Sequence, residues 1–180
     1  MKKVFFSILF IIIILVLGFL WQEGFFSPVQ ITEGNTGPYF IVYEDYIGDY
    51  KKTGPVMDSL YQRLFIDGIQ AVRGIGIYYD NPKEVVTEKL YSQIGMIVER
   101  EDYKRLADVE NNYSVKHVPL ANSVITEFSY RNKISILLGI YKIFPPLTRY
   151  IEEKGYVRGP IIVVYYKLDK RIYYIMNIED

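Results

Sequence analysis

The chain has 180 residues, with 21 Lys plus Arg balancing 21 Asp plus Glu, so it is long enough to bury a core without staples and carries no net field to attract nucleic acid or a cationic partner. It contains no cysteine, which excludes disulfides, thiolate nucleophiles, cysteine-ligated metals and a lipoprotein cysteine. His117 is the single histidine, so neither a His-based triad nor a multi-histidine metal site is expected without it, and no cofactor is expected.

Residues 1–3 carry Lys2 and Lys3 and precede an apolar run, residues 4–21, in which Ser7 is the one clearly polar member. As a helix that run reaches about 27 Å, close to the roughly 30 Å of a hydrocarbon core. The reading is a transmembrane anchor. A cleaved signal peptide is the alternative, but bulky Phe19, Leu20 and Trp21 stand where a small-x-small cleavage site belongs. No Lys or Arg follows until Lys51, so the positive-inside rule puts the N-terminus in the cytoplasm and the domain outside it, in the periplasm if the source is bacterial.

Residues 22–36 read as a tether, and Gly37-Pro38 opens a strand from Tyr39 to Tyr46. Thr53 is placed as N-cap of a helix with Val56, Leu60 and Leu64 on one side, ended by Gly68. Ile75 to Tyr79 and Leu90 to Val98 are the next strands, joined by Asp80-Asn81-Pro82, which reads as turn chemistry before ligand contact. No helix follows Gly74-x-Gly76, so no phosphate loop is indicated. Residues 37–99 thus form one strand-helix-strand-strand module, and the charged stretch 100–112 reads as a linker with one helical turn.

The second module, residues 113–180, repeats the order. Tyr113 to Pro119 and Val124 to Tyr130 look extended, with a bend at Pro119. Ser135 to Lys154 carries the longest helical pattern, which Pro145 and Pro146 are expected to kink or divide. Ile161 to Tyr166 and Ile172 to Ile178 close it as a hairpin. Val72-Arg73-Gly74, an apolar run and Tyr78-Tyr79 return as Val157-Arg158-Gly159, an apolar run and Tyr165-Tyr166, the mark of a duplication.

The tandem layout, with Gly37-Pro38-Tyr39, Ile47-Gly48-Asp49-Tyr50, Tyr78-Tyr79-Asp80-Asn81-Pro82 and Phe128-Ser129-Tyr130, resembles the GyrI-like (gyrase-inhibitor-like) small-molecule-binding domain family. With Pro146 to Ile151 and the single N-terminal apolar segment, it is similar to the membrane-anchored testis-expressed reticulophagy receptor type within it. The resemblance implies an α+β fold: one antiparallel sheet from both modules, both helices on one face, and a ligand cleft between the modules. Ligand-binding and hydrolytic members commonly carry a glutamate two residues before a tyrosine on the strand after the second helix; here Val163 stands there, ahead of Tyr165. The receptor type also has a long disordered tail, while this sequence stops at Asp180, so its autophagy role is not carried over.

Tyr46, Tyr79, Tyr130 and Tyr166 are the candidate ligand-binding tyrosines, each weighed against ordinary sheet packing. Glu44 and Glu127, read as matching positions of the two first strands, are candidate cleft carboxylates, weighed against solvent-facing strand residues. The expected function is capture of a small hydrophobic or aromatic molecule by a membrane-anchored, non-enzymatic domain. The alternatives are an envelope adaptor with a degenerate cleft, which Val163 favours and whose protein partner is unspecified, and, ranked last, a hydrolase using Glu44 or Glu127 as base.

Overall fold

The computed structural model describes residues 2–178; Met1, Glu179 and Asp180, which end the first and last stretches of the sequence reading, lie outside them. The protein is α+β: an eight-stranded, wholly antiparallel sheet with helices on one face, preceded by an apolar helix α1 (Lys2–Gln22). The strands are β1 (Ile31–Thr36), β2 (Tyr39–Ile47), β3 (Arg73–Tyr78), β4 (Tyr91–Ile97), β5 (Ser114–Val118), β6 (Ala121–Ser129), β7 (Ile161–Tyr166) and β8 (Arg171–Asn177). Helix α2 (Thr53–Ile66) joins β2 to β3, α3 (Leu106–Asn112) precedes β5, and α4 (Lys133–Lys154) joins β6 to β7.

The spatial order β1-β6-β8-β7-β3-β4-β2-β5 reads the same from either end when β1 is exchanged with β5, β2 with β6, β3 with β7 and β4 with β8. The two modules are therefore related by a pseudo-two-fold axis through the β3–β7 pair, where Gly76 lies opposite Val163. That symmetry requires a strand before β2. β1 fills the role inside the stretch the sequence reading leaves as a tether; its residues Ile-Thr-Glu-Gly-Asn-Thr lie mostly exposed on a sheet edge, so no apolar alternation announces them.

One ribbon holds the two edges together. Thr36 lies opposite Ala121 in the β1–β6 ladder and Tyr39 opposite Val118 in the β2–β5 ladder, so a single antiparallel register runs from β1 into β2 and from β5 into β6. It breaks only at Gly37-Pro38 and Pro119-Leu120, whose backbones touch. Because the halves of this ribbon occupy opposite ends of the strand order, the sheet must curl. The helix-free face confirms it: Ile41, Ile75 and Val164 are fully buried there with no helix over them, which only a concave surface closing on itself achieves.

The other face carries two cores. Val42, Met96 and Val98 pack under Leu60 and Leu64 of α2. Val124, Phe128, Val163, Tyr174 and Met176 pack under Ile143, Leu147 and Ile151 of α4, the four-residue spacing that gives one helical stripe. α4 begins at Lys133, where Asn132 and Ser135 form a capping box, and ends at Gly155, whose φ of 74° is the left-handed stop. It runs undivided through Pro145 and Pro146. The missing amide bonds there are offset by the buried stripe Ile143-Leu147-Ile151, which spans them.

Two local assignments change. Thr53 is not the cap of α2: its hydroxyl donates back to the Tyr50 carbonyl (2.8 Å), and a 3₁₀ turn capped by Asp49 leads into the helix. The charged 100–112 stretch is a 3₁₀ segment followed by α3; Val109 is buried in the α2 core and the Asp102 carboxylate accepts from the Gln70 amide.

The edge strand β1 is pinned from the side. Tyr150 and Tyr156 each donate to one Glu33 carboxylate oxygen at 2.9 Å. The Tyr150 bond, then the Tyr156 bond, holds the Glu33 carboxyl below its usual range. A depressed folded pKa stabilises the fold above the unfolded glutamate's pKa, and this contribution disappears as pH falls through the folded value. An NMR titration of Glu33 is expected to give a midpoint below that of an unstructured glutamate, and Tyr150→Phe with Tyr156→Phe to return it. An unchanged midpoint in the double variant would break the link.

Candidate functional site: the seam between the modules

The seam is built on β3 and β7. On the helix side of β3 stand Gly74, Gly76 and Tyr78, and on β7 stand Ile161, Val163 and Tyr165, with Gly76 paired to Val163 and Gly74 to Tyr165. Two glycines at alternate positions leave the centre of the floor without side chains. The ends of two side chains lie over it instead. A Cβ on Gly76 would come within 2.7 Å of the Tyr78 ring, and one on Gly74 within 2.5 Å of the Met57 sulfur. Met57, from α2, touches both helix-side cores and so lies where the modules meet.

Tyrosines surround this floor. Tyr165 is almost wholly buried and hydrogen-bonded to Tyr78; burial first, then the neighbouring Tyr78, pushes its hydroxyl far above the usual phenol range. The Tyr78 ring meets Tyr50 edge-on at 4.8 Å, and the Tyr50 hydroxyl donates to the Tyr91 carbonyl (2.8 Å). Tyr174 is fully buried beneath α4, edge-on to Phe144 at 5.9 Å, and its hydroxyl has no hydrogen-bond partner among the described residues. At the open end of the seam is a depression of about 210 Å³ lined by Tyr78, Tyr79, Asp80, Asn81, Arg158 and Pro160.

The six residues singled out in the sequence divide between the faces. Tyr130 lies at the seam's helix side, packed on the α4 core and close enough to Tyr165 to raise its pKa. Tyr46 is also on the helix side, with its ring against Gly48 at the far end of β2. Glu44 shares that side in an ion pair with Arg63 of α2.

Tyr79 turns to the helix-free face, stacks on Tyr91 at 5.1 Å, donates to Gln93 (2.7 Å) and accepts from Lys116 (2.8 Å). Tyr166 is on the same face, edge-on to Tyr173 at 5.1 Å and accepting from Arg73 (3.2 Å), whose guanidinium is held in two bonds to Glu99. Glu127 faces that way too and binds Arg171 at 2.6 Å.

Symmetry explains the split. β2 and β6 match end to end as Tyr39–Ile47 and Ala121–Ser129, which makes Asp45, not Glu44, the counterpart of Glu127. Tyr78-Tyr79 and Tyr165-Tyr166 do correspond, lying on the same faces of the two central strands. The two carboxylates lie on opposite faces, each in its own ion pair, and do not form an acid-base pair. His117 is exposed and tilted against Phe40 at 4.7 Å. Asp80 and Asn81 serve the turn: Asp80 accepts from the Tyr91 amide (2.6 Å) and Asn81 from the Lys83 amide (3.1 Å). Among the described residues no group of three or more His, Cys, Asp or Glu is placed to hold a metal ion.

No family model matches the chain. It is similar to human testis-expressed protein 264, at 26% identity over 166 residues covering 86% of this chain, and to the mouse homolog at 26% over 160 residues covering 83%. The chain spans about half the length of these relatives, 50% and 49%. Among solved structures, the EcmrR C-terminal domain superposes with a TM-score of 0.64 at 14% identity, covering 84% of this chain and 98% of that one. SAV2435 bound to tetraphenylphosphonium superposes with a TM-score of 0.51 at 13% identity, covering 83% and 94%. These likenesses establish a shared fold.

Proposed function

We propose that the chain is a membrane-anchored domain of the GyrI-like family, of the testis-expressed receptor type, that takes a flat hydrophobic or aromatic molecule into the seam between its modules. The observation that carries this is the glycine floor: over Gly74 and Gly76 lie the side-chain ends of Met57 and Tyr78, with the edge of the Tyr165 ring beside Gly74. An entering ring must displace the end of Met57 and turn Tyr78 away from Tyr165 and Tyr50, and it then lies between tyrosine faces. SAV2435, which shares the fold, holds an aromatic cation, in accord with an aromatic ligand here. Tyr78, Tyr165 and Tyr130 are the lining residues on the helix side, and Tyr79 stands at the rim. Tyr46, Tyr166, Glu44 and Glu127 have no part in it.

In this reading α1, long and apolar enough to cross a bilayer, is retained as a signal anchor, with Lys2 and Lys3 on the cytoplasmic side and residues 37–180 outside the cytoplasm. In the same reading the domain holds its ligand without turning it over; Glu44 and Glu127 are each ion-paired with an arginine, on opposite faces of the sheet.

The test is a thermal-shift screen of the full chain in detergent against lipophilic cations, aromatic amines and neutral hydrophobes. A saturable rise in melting temperature is expected, lost in Gly76→Val, which fills the floor, and kept in Tyr166→Ala on the opposite face. A rise that survives Gly76→Val places the ligand elsewhere. A second reading, an adaptor with a closed cleft, is favoured by Val163 and Tyr165 filling the seam at 2% and 8% exposure. The absence of any shift across all three classes would select it.

A further inference from the structure

We infer that the outward face of the first three turns of α4 rests on the headgroup layer of an anionic bilayer, beside the point where α1 leaves it; this builds on the reading of α1 as a membrane anchor. A surface helix ordinarily turns polar side chains away from its core. α4 does the reverse over its first half. With Ser135, Gly139 and Ile143 buried inward, the outward stripe is Ile134, Tyr141 and Pro145, of which Ile134 and Tyr141 are 51% and 63% exposed, while the half-buried Leu138 beside it packs on the α4 core. Beyond it the stripe turns polar at Arg149 and Glu152, both exposed.

The apolar half is the half to which the anchor is tied. Glu23, one residue past α1, is 3% exposed, and its carboxylate accepts from Ser135 Oγ at 2.8 Å and Asn132 Nδ2 at 3.2 Å. The Lys142 ammonium donates to the carbonyl of Gly24. These contacts leave no slack between the membrane exit and the first turns of α4. Trp21 and Phe26 flank the junction at 77% and 54% exposure, where aromatic side chains favour the membrane interface.

Charge selects the occupant. From Arg131 to Ile151 the chain carries Arg131, Lys133, Lys142 and Arg149 and no carboxylate, although the whole chain is neutral. Arg131 and Arg149, both exposed, stand at the two ends of the apolar stripe, the pattern of a helix lying in the interface of an anionic membrane.

The experiment uses the full chain in phosphatidylcholine–phosphatidylglycerol vesicles whose acyl chains are brominated near the headgroup. Trp21 is the single tryptophan, so its quenching in the unmodified chain reports whether α1 is inserted. The variant Trp21→Phe/Tyr141→Trp moves the reporter to the α4 face at a position exposed enough to accept it. Its emission is expected to be lost to bromolipid to an extent comparable with Trp21, and the loss to shrink when phosphatidylglycerol is omitted.

A tryptophan at 141 that bromolipid leaves untouched while Trp21 is quenched overturns the lipid contact alone. If that tryptophan is also shielded from aqueous acrylamide, a protein, such as a second copy, covers the face instead. Failure to quench Trp21 overturns the anchor reading itself, and this inference with it.

Discussion

Gly139→Ala is expected to destabilise the fold by about 2–3 kcal/mol, against the roughly 1 kcal/mol that alanine ordinarily gains over glycine inside a helix. A Cβ at 139 would stand inside 3.0 Å of the Tyr174 hydroxyl, 3.1 Å from Tyr174 Cζ and 3.2 Å from Phe128 Cδ1. Neither ring has room to retreat, since Tyr174 and Phe128 are 0% and 6% exposed in the middle of the α4 core. The close approach of α4 to the sheet at this point therefore requires glycine.

The offending atom is one the fold does not otherwise use. The Tyr174 hydroxyl has no partner among the described residues, and burying such a group costs about 1–3 kcal/mol. Burial also pushes its pKa up. Tyr174→Phe alone is expected to be neutral or stabilising, and Tyr174→Phe in the Gly139→Ala background to return most of the loss. For a chain of this size the single variant corresponds to a fall in melting temperature of roughly 4–12 °C. Differential scanning calorimetry of the four chains measures the coupling. Strictly additive effects would mean that the methyl group and the hydroxyl do not meet.

Gly139 also shows what the sequence conveyed and what it hid. Apolar segments announced themselves: the α2 and α4 stripes lie close to where helical periodicity puts them, and the hairpins β3–β4 and β7–β8, buried on both faces, close to where their continuous apolar runs do. Elements held by contacts rather than by pattern did not. β1 is polar beyond Ile31 and stabilised by a ladder to β6 and by Glu33. α3 offers no wide apolar face and is fixed through Val109 and Asp102 of the preceding turn.

The candidate site was legible in residue type and blurred in facing. Tyr78-Tyr79 and Tyr165-Tyr166 were recognised as equivalent, and the symmetry makes them so. Which member of each pair faces the helices depends on strand register, and a shift of one residue reverses the answer. The same one-residue error matched Glu44 with Glu127 and put two carboxylates in one cleft that the sheet holds on opposite faces. The glycines of the seam were visible but read only for the phosphate loop they do not form. Their use as a bare floor depends on Val163 and Tyr165 arriving opposite them from more than eighty residues away, which no local pattern records.

Val163 is where the seam reading can be tested most severely. Val163→Glu is expected to cost about 4 kcal/mol at neutral pH, because the new carboxylate replaces a side chain that is 2% exposed and enters a floor lined by glycine and tyrosine rather than by a cation. Burial raises the folded pKa of such a carboxyl above its unfolded value. The ionisation-linked part of the penalty is therefore absent below the unfolded pKa and grows as pH rises towards the folded one, on top of the pH-independent cost of burying a neutral carboxyl in place of valine. Stability measured by urea titration should fall between pH 4 and pH 7 in the variant relative to the unmodified chain. A flat difference across that range would mean that the glutamate swings out to solvent.

A lipophilic aromatic cation supplies the missing opposite charge. Tetraphenylphosphonium, which SAV2435 holds on the same fold, is expected to stabilise Val163→Glu more than the unmodified chain. At a hundredfold excess over the dissociation constant the gain is about 2.7 kcal/mol, enough to offset most of the penalty. The gain should follow the ionised fraction of the new carboxyl and vanish at pH 4. Equal stabilisation of both chains, or of neither, would mean that the cation does not reach residue 163. Only stabilisation of neither chain would make the bare strip over Gly74 and Gly76 a packing device and pass the weight to the closed-cleft adaptor.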